Sequence, residues 1–393
     1  MKNLETLIQE LCPDGVEFVK LGEVCEIKTG KGITNKDCSD SDIYPVYSGG
    51  KEPMGYYKDF NRNENTITVS RVGAYAGFVN YVVEKFYLND KCFSVIPTAG
   101  NTINTKFLYY KLKSIESNII NLQSGGGVPT INTKKVGSIE IPLPPIEVQT
   151  EIVRILDKFT SLEAELEAEL DCRKRQYEYY RDKLLSFDNV GGQDVEWKKM
   201  SEVGTFIRGK RFVRIDIVEE GIPCIHYGDM YMYYGLQATQ ARTHLTKEKA
   251  EKMRFATKND VIIVGAGENN MDIGIGMAWL GDEDVAVHDA CYIFKSNMNP
   301  RYVSHYLRGS KYHLQIKKYV CEGKICSISA QSIGKSIIPV PSLQEQERLA
   351  NILDRFESLT TSLTAGLPAE IAARRQQYEH YRDELLTFKR KSA

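Results

Sequence analysis

Two segments of the chain carry apolar residues at every third or fourth position, the spacing of a helix face that packs on another helix. In the first segment the apolar positions are Ile152, Ile155, Phe159, Leu162, Leu166, Leu170, Tyr177, Tyr180 and Leu184. In the second they are Leu349, Ile352, Phe356, Leu359, Leu363, Leu367, Ile371, Tyr378, Tyr381 and Leu385. The pattern predicts two long helical arms, within residues 146–188 and 343–393, the second ending in a basic tail.

The arms are expected to pair with each other. A helix of about forty residues is about 60 Å long at about 1.5 Å per residue, and such an apolar stripe needs a partner. We expect antiparallel pairing within the chain; the alternative is that each arm pairs with a second chain. Gly366 and Pro368 predict a kink or break near residues 366–368 of the second arm.

The segments outside the arms are rich in β-branched and aromatic runs bounded by Gly, Asn and Asp, such as "NTITV" and "DVIIV". They predict two mostly-β globular domains, residues 1–145 with a short leading segment and residues 189–342. One helix is expected in each, at Ile103–Ser114 and Asn299–Ser310. The predicted fold class is α+β, with two globular domains in tandem joined by the paired arms.

The two halves repeat each other. "RKRQYEYYRDKLLSF" from Arg173 and "RRQQYEHYRDELLTF" from Arg374 agree at ten of fifteen positions. Earlier anchors, including "GGVPTINTKKVGSIEIPLPP" and "GKICSISAQSIGKSIIPVPS", extend the repeat through both halves. The second arm is four residues longer between its anchors, about one helical turn, so its stripe stays in phase. The repeat predicts an internal pseudo-two-fold axis.

The middles of the two halves share little sequence. A common frame with different middles is what two readers of different targets would show, whereas the alternative is an old duplication that drifted.

Composition limits the function only weakly. Fifty-one basic and fifty-two acidic residues give a net charge of −1, so any DNA-binding face must be local. Nine scattered cysteines without a C-x-x-C pair suggest reduced thiols. The chain shows no apolar run of eighteen residues and no signal-peptide pattern, and we expect a cytoplasmic protein without a membrane partner.

Catalytic motifs are degenerate. "VGAGENN" (Val264–Asn270) lacks a full dinucleotide fingerprint, and "GKGITNK" is not a phosphate-binding P-loop. His288, Asp289 and Cys291 could suggest a nucleophile, but the equivalent Asn89, Asp90 and Cys92 lack the histidine. We expect no catalysis and no metal on this chain.

Basic residues on probable turns are the candidate DNA contacts, because Lys and Arg neutralise phosphates or bind guanine edges. These residues are Lys28, Lys31, Lys36, Lys58, Arg62, Arg71, Arg208, Lys210, Arg211 and Arg214. Two such turns, "IKTGKGITNK" and "IRGKRFVR", lie at equivalent places in the repeat.

The plan resembles the specificity subunit of type I restriction–modification enzymes. The residues carrying the resemblance are "LCPDGVEFVKLGEV", "IPLPPIEVQTEIVRILDKF", "IPVPSLQEQERLANILDRF" and the repeated "QYE-YRD-LL-F" phrase. The resemblance implies two target recognition domains, each reading half of a split, asymmetric site on double-stranded DNA, with the arms fixing the gap.

The resemblance also implies partners and the absence of catalytic residues here. Two modification subunits would dock on the arms and frame, bind S-adenosylmethionine and methylate adenine, and restriction subunits with ATP and Mg would complete the assembly. No cofactor is implied on this chain. The alternatives are a self-contained DNA methyltransferase-like enzyme with degenerate motifs, or a coiled-coil structural adaptor.

Overall fold

A computed structural model describes residues 4–100, 102–124, 127–187, 195–361 and 366–391. The chain divides into two compact units: unit 1 comprises residues 1–165 and 372–393, and unit 2 comprises residues 166–371. Across the described ranges, no helix is both long and apolar enough to cross a bilayer.

The strands are short and numerous, as the β-rich runs predict. Those of unit 1 are β1 Glu17–Lys20, β2 Cys25–Thr29, β3 Tyr44–Tyr47, β4 Tyr56–Tyr57, β5 Thr66–Ser70, β6 Val79–Val82, β7 Tyr87–Leu88, β8 Cys92–Pro97 and β9 Glu140–Leu143. Those of unit 2 are β10 Glu196–Lys199, β11 Gly204–Arg208, β12 Ile217–Val218, β13 Ile222–Ile225, β14 Gln237–Ala238, β15 Thr243–Leu245, β16 Phe255–Ala256, β17 Val261–Val264, β18 Ala266–Gly267, β19 Gly276–Trp279, β20 Val285–Val287, β21 Cys291–Ser296, β22 Cys326–Ser327 and β23 Ile337–Val340.

The helices comprise short ones in the globular parts and long ones in the arms. They are α1 Leu4–Leu11, α2 Leu21–Val24, α3 Thr105–Ser114, α4 Glu116–Ile120, α5 Thr133–Gly137, α6 Ile146–Ser186, α7 Met200–Val203, α8 Tyr227–Met232, α9 Lys247–Ala250, α10 Pro300–Tyr306, α11 Ser310–Ile316, α12 Ala330–Gly334, α13 Leu343–Thr361 and α14 Leu367–Leu385. Single 3₁₀ turns lie at Asn35–Asp37, Arg214–Asp216, Asn270–Asp272 and Lys317–Tyr319.

The two units share one sheet topology. The main sheet of unit 1 has the order β2-β8-β5-β6, and that of unit 2 has β11-β21-β17-β19 with β14 added at its edge. The smaller sheet is β4-β3-β7 in unit 1, and unit 2 has β15-β13-β20 flanked by β12 and β16. In unit 1, β3 pairs parallel with β7, the strand immediately before β8 of the main sheet. In unit 2, β13 pairs parallel with β20, the strand immediately before β21 of the main sheet. The matching strand order shows that the two repeated halves of the sequence fold with the same topology.

The one helix expected in each globular domain is present. Helix α3 begins after Asn104, and α10 begins after Asn299 with Pro300 at its first position. Both asparagine side chains accept backbone N–H bonds of the first turn, as N-caps do. Helix α10 ends at Tyr306, earlier than expected, and Gly309 precedes the separate helix α11.

The first arm is one continuous helix of 41 residues, α6, whereas the second contains α13 and α14. Between these two helices, Gly366 has a φ of +80°, a left-handed conformation that favours glycine. Residues 362–365 are outside the described ranges.

The arms pack antiparallel within each unit. In unit 1, Phe159 of α6 lies with its ring centroid 5.5 Å from that of Tyr381 of α14, and Glu163 pairs with Arg375. In unit 2, Tyr180 of α6 stacks on Phe356 of α13 with ring centroids 5.7 Å apart. In unit 1 the later residue of α6 contacts the earlier residue of α14, so the prediction that the arms pair with each other in opposite directions is confirmed.

Burial separates the predicted packing residues into four groups. Ile152, Tyr177, Leu349 and Ile371 are buried. Ile155, Phe159, Leu162, Leu166, Leu170, Leu184, Ile352, Phe356, Tyr378 and Leu385 are half-buried. Leu359 is 53% exposed, so its place in the packed seam is corrected, and Leu363 lies outside the described residues. Leu359 is in the last turn of α13.

The arms also have a second buried face that the apolar stripe did not predict. Val148 and Leu156 are fully buried and pack with Phe107 and Tyr110 of α3 in one core cluster. Each arm helix therefore contacts both a partner helix and its globular part, and the outermost stripe residues remain partly open.

Equivalent polar contacts fix each arm to its globular part. Gln149 accepts the backbone N–H of Asn104, and Gln346 accepts that of Asn299, both at 2.8 Å. Both glutamines are buried, so the geometry at the start of each arm is the same.

An aspartate further along each arm, Asp157 on α6 and Asp354 on α13, makes a second set of equivalent contacts to the globular part. Asp157 accepts from Lys106 at 2.7 Å and from the Tyr110 hydroxyl at 2.6 Å. Asp354 accepts from Arg301 and from His305 Nε2, and His305 Nδ1 lies 3.0 Å from the Tyr177 hydroxyl. Because a carboxylate only accepts, His305 carries its proton on Nε2 and accepts from Tyr177.

Candidate nucleic-acid interface

One edge of the main sheet in unit 1 collects three loops. Strand β2 ends with Thr29 opposite Phe93, and β5 ends with Ser70 opposite Cys92, the first residue of β8. The loops that follow β2 and β5 and the loop that precedes β8 therefore leave the sheet on the same side. We call residues 30–38, 71–77 and 89–91 the loop edge of unit 1.

The same edge exists in unit 2. Strand β11 ends with Arg208 opposite Tyr292, and β17 ends with Val264 opposite Cys291. Residues 209–216, 265–275 and 288–290 form the loop edge of unit 2. Each unit thus presents one equivalent cluster of loops.

A glycine sets the start of the first loop in each cluster. Gly30 N–H donates to Cys92 O at 3.1 Å, and Gly209 N–H donates to Cys291 O at 3.0 Å. A Cβ at Gly30 would lie 2.1 Å from Leu88 O, and one at Gly209 would lie 2.2 Å from His288 O. Only glycine allows this approach of the loop to the neighbouring backbone.

The following lysine is held in the same way in both units. The Lys31 N–H donates to Leu88 O at 3.0 Å, and the Lys210 N–H donates to Val287 O at 2.9 Å. Both side chains are exposed. These two predicted DNA-binding residues therefore occupy equivalent positions at the two loop edges.

An aspartate closes each loop. Asp37 accepts the Thr34 N–H at 2.8 Å, and Asp216 accepts the Val213 N–H at 2.8 Å. These backbone hydrogen bonds, together with side-chain bonds, hold the pKa of Asp37 and of Asp216 below the usual range. The charged carboxylates stabilise the 3₁₀ turns that carry Lys36 and Arg214, whose side chains are exposed.

The loop edge of unit 2 carries more guanidinium groups. Arg211 and Arg214 are exposed, and Arg208 Nε donates to Asp289 O at 2.8 Å. Arg208 Nη2 lies 3.9 Å from the Asp289 carboxylate, so its charge is partly balanced. In unit 1 the edge carries Arg71, which is half-buried with Nη1 3.3 Å from Asp90 O.

Aromatic and imidazole rings support the basic loop of unit 2. Phe212 lies with its ring centroid 5.0 Å from that of His288, and His226 lies 4.7 Å from His288. Ala290 N–H donates to His288 Nδ1 at 3.1 Å, so His288 Nε2 carries the proton that Phe212 O accepts at 3.0 Å. Burial lowers the pKa of both His226 and His288, which favours two neutral rings beneath the loop.

Lys28 and Lys58, two of the predicted DNA contacts, lie on or beside strands. Lys28 lies on β2 and pairs with Glu26 at 2.6 Å. Lys58 follows Tyr57, which pairs with Tyr44 at the start of β3, whereas the end of β3 approaches the loop edge. Lys58 is exposed, with its Nζ 6.0 Å from the ring centroid of Tyr57.

Arg62 has a structural environment. Its guanidinium donates to Ser94 Oγ at 2.8 Å and to the backbone oxygens of Asn61, Lys28 and Thr29. Burial lowers its pKa, since the charge is partly desolvated. These contacts tie the Arg62 guanidinium to β2 and β8, so the side chain that was predicted to contact DNA also has a structural role.

Some edge residues were missed by sequence reasoning. Lys91 is exposed in the loop before β8. Val128 and Ile325 are 58% and 61% exposed at equivalent positions of the repeat. The signal was present, because "GGVPT" and "GKICS" align, but an apolar residue after glycine gives no indication of exposure by itself.

The considered catalytic motifs do not form a reaction centre. Cys291 is fully buried, and burial raises its pKa to about 12, which suppresses the thiolate needed for nucleophilic attack. "VGAGENN" runs into β18 and a 3₁₀ turn rather than a helix N-terminus. Among the residues with described positions, no group of three His, Cys, Asp or Glu could hold a metal ion.

Comparison with known proteins gives consistent matches over both halves. The family model for the type I restriction modification DNA specificity domain matches residues 13–171 and again residues 192–373. The chain is 32% identical over 409 residues to the type I restriction enzyme EcoR124I/EcoR124II specificity subunit of Escherichia coli, covering 99% of this chain and 97% of the relative. It is 30% identical over 408 residues to a putative type I restriction enzyme specificity subunit of Haemophilus influenzae, covering 99% and 100%.

A solved structure shows the same fold. The crystal structure of the S subunit of a type I restriction–modification system from M. genitalium has a TM-score of 0.57 with 17% identity, covering 95% of this chain and 96% of that one.

Proposed function

The chain belongs to the type I restriction–modification DNA specificity family, the non-catalytic DNA-recognition subunits of these systems, and from this premise we propose that each unit reads one half of a bipartite, asymmetric DNA site. The observation that supports the proposal most directly is the loop edge, which occurs twice on one topology with different side chains. Because the two units share one strand topology, both would bind the duplex in the same orientation. Because their loop residues differ, each would recognise a different half-site sequence.

The residues at the loop edges have the chemistry that DNA recognition needs. Lys31 and Lys210, at matched positions, are suited to phosphate contacts that set the register without reading sequence. Arg211 and Arg214 occur in unit 2 where unit 1 has Gly32 and Asn35, so they are suited to base contacts that differ between half-sites. The net charge of −1 fits a chain whose positive surface is confined to such edges.

The paired arms act as the spacer between the half-sites. In this proposal they and the surrounding frame dock two modification subunits, which bind S-adenosylmethionine and methylate adenine. Restriction subunits with ATP and Mg complete the assembly, and this chain carries no cofactor. The complex works in the cytoplasm.

Methylome sequencing tests the proposal. The chain is co-expressed with its modification subunit in a host without other DNA methylation, and the methylated motif is read. We expect a bipartite motif, and Lys210→Ala with Arg211→Ala should reduce methylation through the half-site read by unit 2. The control is Lys258→Ala, an exposed lysine before the start of β17, at the end of that strand away from the loop edge. Methyl transfer by the chain alone, or a motif without two halves, would refute the proposal.

The spacer role has its own test. Deleting four residues, 167–170, removes about one turn from α6 and should change the gap between half-sites while leaving each half-site sequence intact. Sequencing the methylated sites of this variant decides the matter, since altered half-site sequences would contradict a spacer role.

A further inference from the structure

Each unit exposes a branched apolar side chain at the tip of an equivalent loop. Val128 is 58% exposed and Ile325 is 61% exposed, whereas Ile131 and Ile328, three residues further along, are 0% and 3% exposed. We call residues 127–130 and 323–327 the apolar tips. Single exposed apolar residues are ordinary, but here the exposure recurs at matched positions of the repeat.

Backbone hydrogen bonds hold the residues that flank each apolar tip. In unit 1, Ser124 N–H donates to Thr130 O at 2.9 Å. In unit 2, Cys321 and Ser327 exchange two backbone hydrogen bonds, at 2.8 and 3.0 Å. A Cβ on Gly127 would meet none of the described atoms within 4 Å, so this tip projects away from its unit.

The tips are continuous with the loop edges. Ile131 N–H donates to Arg71 O at 2.9 Å, and Gly73 N–H donates to Pro129 O at 3.0 Å. In unit 2, β22 pairs with β18, which places Ile325 beside residues 265–267 of the loop edge. The apolar side chains therefore lie on the same side of each sheet as the basic residues proposed to contact DNA.

DNA accepts an apolar side chain of this kind at a base step. Phosphates and sugar edges bind charged and polar groups, whereas Leu, Ile, Met or Pro side chains insert between bases and unstack them. Methylation of a base in a duplex requires that the base leave the stack, which breaks its pairing and stacking and opens a gap. A branched apolar group at that step stabilises the unstacked state.

We propose that Val128 and Ile325 are wedges, each entering the base stack beside the adenine that is methylated in its half-site. The inference rests on the proposed function and adds the residues that assist base extrusion. It also accounts for the repetition, because both half-sites must release a base although their sequences differ. Val128 and Ile325 contact DNA as positioning residues; methyl transfer remains with the modification subunit.

The test uses the complete complex of this chain with its modification subunits, on a duplex carrying the motif found by methylome sequencing. Val128→Ala should slow single-turnover methylation about tenfold or more at one half-site, and Ile325→Ala at the other, as a loss of part of the unstacking energy predicts. Val83→Ala and Ile337→Ala are matched controls, since these side chains are 69% and 42% exposed at strand ends away from the loop edges and tips. Both should methylate at the rate of the unaltered complex.

A second substrate identifies the cause. A mismatch opposite the target adenine weakens pairing beforehand, so it should restore the rates of Val128→Ala and Ile325→Ala to within about twofold of the unaltered complex. Rates equal to those of the controls on the paired duplex would overturn the inference. A loss that the mismatch does not restore would also overturn it, and would point to contact with the modification subunit.

The proposed function and this inference fail separately. If the unaltered complex methylates no bipartite motif, the proposed function fails. If it methylates one and the tip variants behave as above, the wedge is supported whichever bases are read.

Discussion

At the residue scale, the basic loops depend on backbone approach more than on side chains. Gly30 and Gly209 lie against carbonyl oxygens, and each is followed by an exposed lysine in the same backbone arrangement. The loop backbone can approach these oxygens because glycine has no Cβ.

Gly30→Ala should therefore destabilise unit 1 by about 1–3 kcal/mol, because its Cβ would force the Leu88 backbone to move. Urea unfolding measures the loss. Gly50→Ala is the control, since its nearest contact would be Glu52 O at 3.5 Å, and it should change stability by less than about 0.5 kcal/mol. Equal effects of the two substitutions would show that the close approach is not required.

Acid should weaken unit 2 selectively. Burial lowers the pKa of His226, His288, His305 and His313, all in unit 2. The unfolded chain, with a histidine pKa of about 6.5, then binds protons more readily than the folded chain. The stability from these neutral rings is complete above about pH 6.5 and is lost as pH falls through the folded-state pKa values.

Hydrogen exchange at a constant labelling pH, after incubation at about pH 7.5 and at about pH 5.5, locates the effect. Protection should fall in the β-strands of unit 2 before those of unit 1. Equal loss in both units would contradict the assignment to these histidines.

The sequence predicted single residues unevenly. Lys31 and Lys210 were found because glycine and lysine recur at aligned positions, and both are exposed at the loop edges. The environment of Arg62 could not be predicted, because its partners are backbone oxygens of Lys28 and Thr29, more than thirty residues away. Side-chain charge indicates a possible contact, whereas fixed partners become visible only when distant strands meet.

At the element scale, helix and strand patterns carried much of the fold. The 3-4 apolar spacing predicted α6 and its antiparallel partner helices, because one periodic stripe specifies one packed face. Val148 and Leu156 were missed since a second face, which contacts α3, overlaps that stripe. The pairing of β-strands across a unit is non-local and left no comparable pattern.

Asp354→Asn should loosen the second arm from its globular part. Arg301 and His305 would lose their anionic partner in a half-buried site, at a cost of about 2–4 kcal/mol. Burial acts to raise the pKa of Asp354, but the bonds from His305 and Arg301 outweigh it and the pKa lies below its ordinary value.

Urea unfolding compares this variant with two others. Asp157→Asn should cost less, about 1 kcal/mol, because Asn still accepts from Tyr110 and the Lys106 side chain is partly solvated. Asp171→Asn, in an exposed pair with Arg175, should change little. If all three variants lose the same free energy of unfolding, Asp354 does not anchor the second arm.

At the scale of the whole molecule, unit 1 is built from two distant parts of the sequence, while unit 2 is one continuous stretch. Leu386 is 1% exposed and packs in the cluster that contains Phe107 and Ile152. The Val16 N–H donates to Lys389 O, and the Lys391 N–H donates to Val16 O, both at 2.9 Å. The repeat in the sequence predicted two halves, but it did not predict that the segment from residue 372 onward belongs to unit 1.

Leu386→Ala should destabilise unit 1 by about 2–5 kcal/mol, since it removes a fully packed side chain. Hydrogen exchange should show lost protection in α3 and β8 and unchanged protection in β17 and β21. Leu359→Ala, at a 53% exposed site on the second arm, is the matched control and should have little effect. Loss of protection across unit 2 would show that the two units do not fold independently.

The composite make-up of unit 1 also bears on synthesis. The ribosome completes residue 165 early, but the segment from residue 372 onward emerges about two hundred residues later, a delay of about 10–40 s at about 5–20 residues per second. Unit 2 has all its residues before that moment. The half that is translated first must therefore wait, with the Phe107 cluster uncovered, and is the half that a nascent-chain chaperone would have to protect.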